Sequence, residues 1–205
     1  ARSRAAMARA RRAPPPVAAM RIIGGAHRGR RLVAPEGLAT RPTAERLRQA
    51  LFDMLLHAPW AGRERVQGAR VLDAFAGSGA LGLEALSRGA SVVSFLETDR
   101  AALAAIRANV AACREQARAR VIAGDALAPP RAAEPCGLVF LDPPYGKGLL
   151  APALSALARA GWFAPRAILV AETSADAPEE VPEAFAPLAE RRHGAGLLRV
   201  FAAPA

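Results

Sequence analysis

From Ala69 onward, short β-prone runs alternate with helical stretches, and that alternation restricts the fold more than any other feature of the chain. Strands are expected at Arg70–Leu72, Ser91–Leu96, Arg120–Ala123, Leu138–Leu141 and Ala167–Ala171. Between them, helices are expected at Ala80–Arg88, stopped by Gly89, at Arg100–Cys113 with Asp99 as cap, and at Leu150–Ala160. Repeated βα units of this kind predict an α/β fold with a doubly wound, mostly parallel sheet and helices on both faces. The end of the chain breaks the pattern. Phe185–Arg192 and Leu197–Ala202 flank the turn HGAG with no helix between them, which predicts a terminal hairpin added antiparallel to the sheet.

Ahead of the alternating region, Met20–Gly25 and Arg31–Pro35 flank GGAHRGR, the pattern of a hairpin with His27, Arg28 and Arg30 at its tip. Arg41–His57 reads as a helix that Thr43 can cap, with Leu47, Leu51, Met54 and Leu55 as its apolar stripe and Arg46 and Arg48 off it. Three segments are therefore expected: an Ala/Arg/Pro-rich tail without packed structure over residues 1–19, a hairpin-and-helix appendage over 20–68, and the main domain over 69–205. Met20 is a candidate start of the folded chain.

Charge distinguishes these segments. The net charge is +10, and residues 1–35 hold nine arginines and no acidic residue. A basic lobe beside a nearly balanced remainder points to a polyanion, and the absence of an amphipathic apolar face favours nucleic acid over a membrane surface. No apolar run reaches membrane-spanning length. Cys113 and Cys136 match no ligand spacing and read as core thiols, so a reduced cytoplasmic setting, no metal and a monomer are expected.

Asp73–Gly82, DAFAGSGALG, lies between the first strand and the first helix of the alternating region. Gly77, Gly79 and Gly82 have the G-x-G-x-x-G spacing of a dinucleotide loop, and Glu97 stands where a ribose-binding acid belongs. An NAD-dependent oxidoreductase is therefore one reading. Asp73 opposes it, because a carboxylate at the mouth of the loop repels a pyrophosphate and attracts a cationic amino group instead. The methionine ammonium of S-adenosylmethionine is such a group. Asp125, in the GDA that follows the third strand, is placed to accept from an adenine amine; a simple turn aspartate is the plain alternative. Asp73, Glu97, Asp125 and Asp142 thus stand at four successive strand ends, where open α/β sheets bind ligands.

After the fourth strand comes DPPYGKG, Asp142–Gly148. Two prolines fix the backbone between an acid and an aromatic ring, forming a rigid ledge. A planar base with an exocyclic amine suits it: the ring stacks on Tyr145, and Asp142 and the Pro143 carbonyl accept the amine hydrogens. A proline-rich turn that merely closes a strand is the plain alternative.

Taken together, RIIGGAHRGRRL, RPTAERLRQALFDML, DAFAGSGALGLEALSRGA, LETD and DPPYGKGLL resemble the bacterial 16S rRNA guanine-N2 methyltransferases of the RsmD type, from about Met20 to the C-terminus. The resemblance implies a Rossmann-like class I methyltransferase domain, S-adenosylmethionine as donor, and a guanine of 16S rRNA as acceptor, within an assembling or assembled small ribosomal subunit. By position it implies that Asp73, Gly77 and Gly79, with Phe75, Ala76 and Ser78, hold the methionine end. It assigns Glu97 to the ribose, Asp125 with Ala126 to the adenine, and Asp142, Pro143, Pro144 and Tyr145 to the target base. Arg41 and Thr43 help to close the cofactor site. Members of the family carry asparagine in place of Asp125 and phenylalanine in place of Tyr145, changes that keep the proposed contacts.

The basic residues His27, Arg28, Arg30, Arg31, Arg46, Arg48 and Lys147 are expected to engage RNA phosphates and carry no chemistry. Chemistry alone leaves guanine N2 and adenine N6 both open as acceptors; the resemblance decides for guanine. A non-catalytic ribosome-assembly RNA binder is the remaining alternative.

Overall fold

The computed structural model describes residues 20–35 and 42–205. Arg41 and the basic tail over residues 1–19 lie outside the described residues, as does the side chain of Thr43. Among the described residues, four α-helices and seven strands follow in order: α1 Pro42–His57, β1 Arg70–Ala74, α2 Ala80–Ser87, β2 Val92–Glu97, α3 Arg100–Cys113, β3 Ala119–Ala123, β4 Cys136–Leu141, α4 Leu150–Arg159, β5 Phe163–Ser174, β6 Ala186–His193 and β7 Gly196–Ala202. All seven strands form one sheet in the order β3-β2-β1-β4-β5-β7-β6. β1 to β5 are mutually parallel; β7 lies antiparallel between β5 and β6. The expected doubly wound sheet with a terminal antiparallel hairpin is what forms.

The central strands are apolar at nearly every position because both of their faces are covered, as parallel sheets require. Side chains alternate strictly between two cores. Val71, Leu138, Phe140, Ile168 and Val170 face one apolar cluster with α1 and α2, whereas Leu72, Val139, Leu141, Leu169 and Ala171 face another with α4. Helix ends follow local chemistry. The Asp99 carboxylate accepts the Ala102 N–H at 2.8 Å, capping α3 where expected. The strand order reverses between β1 and β4, and that switch point opens a crevice at the carboxyl ends of the parallel strands.

Residues 20–35 form a looser hairpin than the sequence suggests. A single bridge joins Arg21 to Arg31 around a short 3-10 turn at Gly25–His27. Ile22 and Arg30, Gly29 and Ile22, and Leu32 and Met20 also share backbone hydrogen bonds, and further backbone groups turn to buried side chains of α2 and α3. Glu84 accepts the N–H groups of Ile23 and Gly24, both at 2.8 Å. Ser87 accepts from the His27 N–H and donates to the Gly24 carbonyl. Asn109 takes the Val33 N–H at 2.7 Å and returns a hydrogen bond to the Val33 carbonyl. Ile22, Leu32, Leu47, Leu51, Phe52 and Leu55 share one apolar cluster with Val71, Phe140 and Val170 of the sheet. The boundary near Ala69 therefore divides the sequence and not the core.

One expected surface residue proves internal. Arg48 is only 6% exposed: its guanidinium donates to the Arg21 carbonyl at 2.6 Å and lies 3.7 Å from Glu84, which is fully buried. Its assignment to RNA phosphate is thereby overturned, since a group enclosed beside its own counter-ion meets no phosphate. Arg88, also bonded to Glu84 at 2.8 Å, stacks 4.8 Å above the Phe52 ring. Glu84 thus neutralises two guanidinium groups and holds the backbone of the hairpin. Replacing it with glutamine strands both buried cations, and we expect a loss of about 3–5 kcal/mol. Urea unfolding of Glu84→Gln measures the loss, and limited proteolysis should show early cleavage within residues 20–35.

A candidate cofactor and acceptor cleft at the sheet switch point

The crevice is a cleft of about 750 Å³ whose lining includes Asp73, Phe75, Ala76, Gly77 and Ser78 of the glycine loop. Glu97, the last residue of β2, and Asp99 just beyond it border the cleft, and Asp142, Pro143, Pro144 and Tyr145 form the opposite wall. The glycine loop and the DPPY ledge, separated by more than sixty residues in the chain, face one another across it.

The loop owes its shape to a buried acid next to the end of β1. Asp73 accepts the Gly82 N–H at 2.9 Å, so the carboxylate satisfies a donor in the first turn of α2. Gly77 takes positive φ at 55°, and its N–H donates to Glu97 at 2.8 Å. Gly82 is needed for packing: a Cβ there would stand 2.4 Å from the Phe95 ring. These contacts decide between the two cofactor readings. A dinucleotide pyrophosphate sits on the free N–H groups of such a helix N-terminus. Here the protein's own carboxylate already occupies that position, and a second carboxylate holds the loop.

Glu97 is fixed as a hydrogen-bond platform. Its Oε1 accepts the N–H groups of Thr98 and Asp99 at 2.7 and 2.9 Å, while Oε2 takes Gly77. A carboxylate offers about four acceptor sites, so lone pairs remain for a ligand hydroxyl. Gly79 lies behind the wall as the left-handed residue that opens α2. Asp125 and Ala126 do not line the cleft: Asp125 accepts the Leu127 N–H at 2.9 Å within its own turn, and Ala126 is buried in the core on the α4 face. Cys113 and Cys136 are buried thiols. Burial pushes both up, Cys136 to about 12, so neither is a nucleophile near neutral pH.

Acidic groups dominate the electrostatics of the cleft. Burial pushes Asp73 up to about 7, against the Gly82 hydrogen bond, and the charge on Glu97 adds to the rise. Asp142 rises to about 8, through desolvation first and then the charges on Glu172 and Asp73. Asp142 is wetted from the open cleft, so solvent screens part of that rise; its upward direction rests on the two neighbouring carboxylates. Such a site is complementary to a cation bearing hydrogen-bond donors, and an ammonium group on an amino-acid moiety fits it.

Glu172 is the site residue that the sequence reading missed. It lies on β5 beside the ledge, lines the cleft, and accepts the Tyr145 hydroxyl at 2.5 Å. The acid-at-strand-end pattern that singled out Asp73, Glu97, Asp125 and Asp142 extends to it. The signal was present in the chain: Glu172 directly follows the strand expected over Ala167–Ala171, as Asp142 follows Leu138–Leu141, although β5 itself runs on to Ser174.

The basic residues lie apart from the cleft. Arg28, Arg30 and Arg31 are exposed on the hairpin, and Lys147 is exposed on the loop after the ledge. Arg46 lines a groove of about 540 Å³ between α1 and Arg191 of β6. His27 is half-buried and bonded through Nε2 to Glu115 at 2.6 Å, so part of its capacity is spent on the fold. Among the described residues, no helix is long and apolar enough to cross a membrane, and no group of three or more His, Cys, Asp or Glu is arranged to hold a metal ion.

Relatives share this architecture. Residues 20–202 match the family described as Conserved hypothetical protein 95. The ribosomal RNA small subunit methyltransferase D of Escherichia coli K12 is 40% identical over 158 residues, covering 77% of this chain and 76% of the relative. Its namesake from Haemophilus influenzae is 36% identical over 186 residues, covering 89% and 93%. A solved Escherichia coli structure, described as a candidate methyltransferase, yhhF, superimposes with a TM-score of 0.76 at 36% identity, covering 91% of this chain and 99% of that one. With the glycine loop, the acidic cleft and the DPPY ledge in one crevice, the chain belongs to the Conserved hypothetical protein 95 family and falls beside its small-subunit rRNA methyltransferases.

Proposed function

We propose that this protein transfers a methyl group from S-adenosylmethionine to the exocyclic N2 amine of a guanine in small-subunit ribosomal RNA. The observation that carries this reading is one cleft holding both Asp73, bonded to the head of α2, and the Asp142–Tyr145 ledge. Bound there, S-adenosylmethionine supplies a methyl group on a positively charged sulfur, an electrophile that needs no metal. Asp73 would meet the ammonium of its methionine moiety, and Glu97 its ribose hydroxyls. Asp125, turned to its own loop, is the weakest candidate for the adenine.

The protein's share of the chemistry is positioning and charge placement. Guanine N2 is a poor nucleophile because its lone pair is delocalised into the ring. Asp142 and the Pro143 carbonyl accept the two N2 hydrogens, which turns that lone pair toward the methyl donor. As the new N–C bond forms, the carbon–sulfur bond breaks with its electron pair left on sulfur. The nitrogen then sheds one proton, to Asp142 or to water. Tyr145, 47% exposed, offers a ring face on which the unstacked base can lie.

RNA would be held through phosphates by Arg28, Arg30, Arg31 and Arg46, with Lys147 near the ledge. Each phosphate contact contributes about 0.7 to 0.9 to the log–log salt slope of binding. Replacing Arg28, Arg30 and Arg31 together with alanine should weaken RNA binding and flatten its salt dependence, leaving S-adenosylmethionine affinity nearly unchanged. Equal RNA affinity in a filter-binding titration would refute the role of these arginines.

Asp142→Ala should lower methylation by about 100- to 1,000-fold, the scale for losing one positioned transition-state group. Calorimetry on the same variant should still register S-adenosylmethionine binding. Methylation is read by mass spectrometry of small-subunit rRNA incubated with the protein and cofactor, and absence of any methylated guanine with wild-type protein would overturn the proposal.

The raised acids give a pH signature. In the free protein Asp73 and Asp142 hold protons above the ordinary carboxyl range, so they favour the folded state at low pH, and that stability is lost as pH rises toward 7 to 8. A bound ammonium favours the ionised carboxylates, so binding should release protons and tighten with rising pH. The expected gain is up to about tenfold per pH unit between pH 6 and 7, ending where an α-amino group itself deprotonates, near pH 8. Calorimetry in buffers of different ionisation enthalpy counts the released protons, and Asp73→Asn should reduce the count.

A further inference from the structure

Asp142 alone does not distinguish guanine from adenine, because both bases offer an exocyclic amine with two hydrogens. They differ at the neighbouring ring position. Guanine N1 carries a hydrogen and donates, whereas adenine N1 is an acceptor. A site selective for guanine therefore needs a second acceptor beside the first, aligned along the same base edge.

The sheet supplies that second acceptor. Leu141 of β4 and Ala171 of β5 are register partners on adjacent parallel strands, so Asp142 and Glu172 are the next residues of the same two strands. Both border the main cleft, and both also border a smaller adjoining cavity of about 140 Å³ walled by Leu47, Leu81, Val170 and Leu198. Tyr145 donates its hydroxyl to Glu172 Oε1 at 2.5 Å, tying the stacking ring and the carboxylate into one unit. That hydrogen bond uses one of about four acceptor sites on the carboxylate.

We infer that Glu172 reads the N1–H of the target guanine while Asp142 reads its N2 amine, which makes Glu172 the residue that selects guanine over adenine. The inference rests on the methyltransferase reading above. Two adjacent carboxylates match the run of donors along guanine N1 and N2. Against adenine, the second carboxylate would face the lone pair of N1, and its burial without a donor would be left unrelieved. The mutual repulsion of the pair, expressed in the raised Asp142, is relieved when donors from the base enter between them. Gly196 of β7 leaves room for the arrangement, since a Cβ there would approach Glu172 Oε1 to 3.2 Å and the Tyr145 hydroxyl to 3.4 Å.

2-Aminopurine tests this directly. It keeps the 2-amino group, but its N1 is an acceptor. The substrate is small-subunit RNA carrying either guanine or 2-aminopurine at the position that mass spectrometry shows to be methylated. Wild-type protein should prefer guanine in kcat/KM by about 100-fold or more. Glu172→Gln replaces one oxygen with an N–H donor that can meet an unprotonated N1. It should lose about 10- to 100-fold on guanine and bring the two substrates within about tenfold of one another. Fluorescence titration of the 2-aminopurine RNA should show tighter binding by Glu172→Gln than by wild type, a readout independent of turnover. Tyr145→Phe, which removes the hydroxyl and keeps the carboxylate, should retain the preference for guanine. Undiminished guanine preference in Glu172→Gln, or its collapse in Tyr145→Phe, would overturn the assignment to Glu172 while leaving the methyltransferase reading intact. Wild-type protein inert on guanine would overturn that reading itself, and this one with it.

Discussion

The hydrogen bond from the Gly82 amide to Asp73 governs the working half of the molecule. It lets a central, largely buried strand carry a carboxylate next to its end at the sheet's switch point, and it fills the anion-binding position at the head of α2 with that carboxylate. One contact thus converts a glycine loop with dinucleotide spacing into a site complementary to a cation. Its cost is a buried acid whose ionisation is disfavoured. Glu97 repeats the device one strand over, with its carboxylate fastened to the same loop through Gly77. The cleft is acidic because the fold has used acids to tie down its own backbone.

Glu84 is the counterpart on the hairpin side. A short chain segment with one bridge between its arms has little internal stability. Beyond the few backbone hydrogen bonds between its arms, Glu84, Ser87 and Asn109 supply acceptors and donors for the backbone groups that those bonds leave over. Asn109 also donates to the Ser78 carbonyl at 2.9 Å, so the hairpin and the cofactor loop share one side chain. Through Asn109, a change in how the hairpin sits bears directly on the wall of the cleft.

Much of this was legible in the chain. The alternation of strand and helix gave the sheet its class, and α3 kept both expected ends because local signals, Asp99 at one and the left-handed Arg114 at the other, define it. What remained hidden depended on partners distant in sequence. Arg48 looks like a surface residue from its place off the apolar stripe; its burial follows from Glu84, which helical periodicity cannot see. Phe52 lies outside the stripe for a similar reason: it packs 5.7 Å from Phe140, on a strand that follows much later. Glu172 differs: the strand-end pattern reaches it, directly after the expected strand Ala167–Ala171, and only the extension of β5 to Ser174 by antiparallel pairing with β7 lies beyond the strand's own sequence. The place of Asp125 just past β3 follows the expected strand end, and the turn it closes occupies one carboxylate oxygen, with further acceptor sites left as on Glu97.

The two charge populations, basic on the hairpin and acidic in the cleft, gain meaning when set together. Arg28, Arg30 and Arg31 face solvent, whereas Asp73, Glu97, Asp142 and Glu172 converge on the crevice. A polyanion held by those arginines would find no basic side chain among the described residues that line the crevice, whose charged members are all acidic. On the proposed function, a phosphate backbone would therefore rest outside while a single base, neutral and rich in hydrogen-bond donors, could enter. The base costs a few kcal/mol to unstack from a duplex and less from a loop. Entry thus favours a nucleotide already weakly stacked, so the separation of charge restricts the structural context of the acceptor before any atom of the base is read. In the proposed reading, the acidic groups that give phosphate no purchase are the same groups that would accept from the base and meet the cofactor's cation. Exclusion and recognition therefore cannot be varied independently at this site.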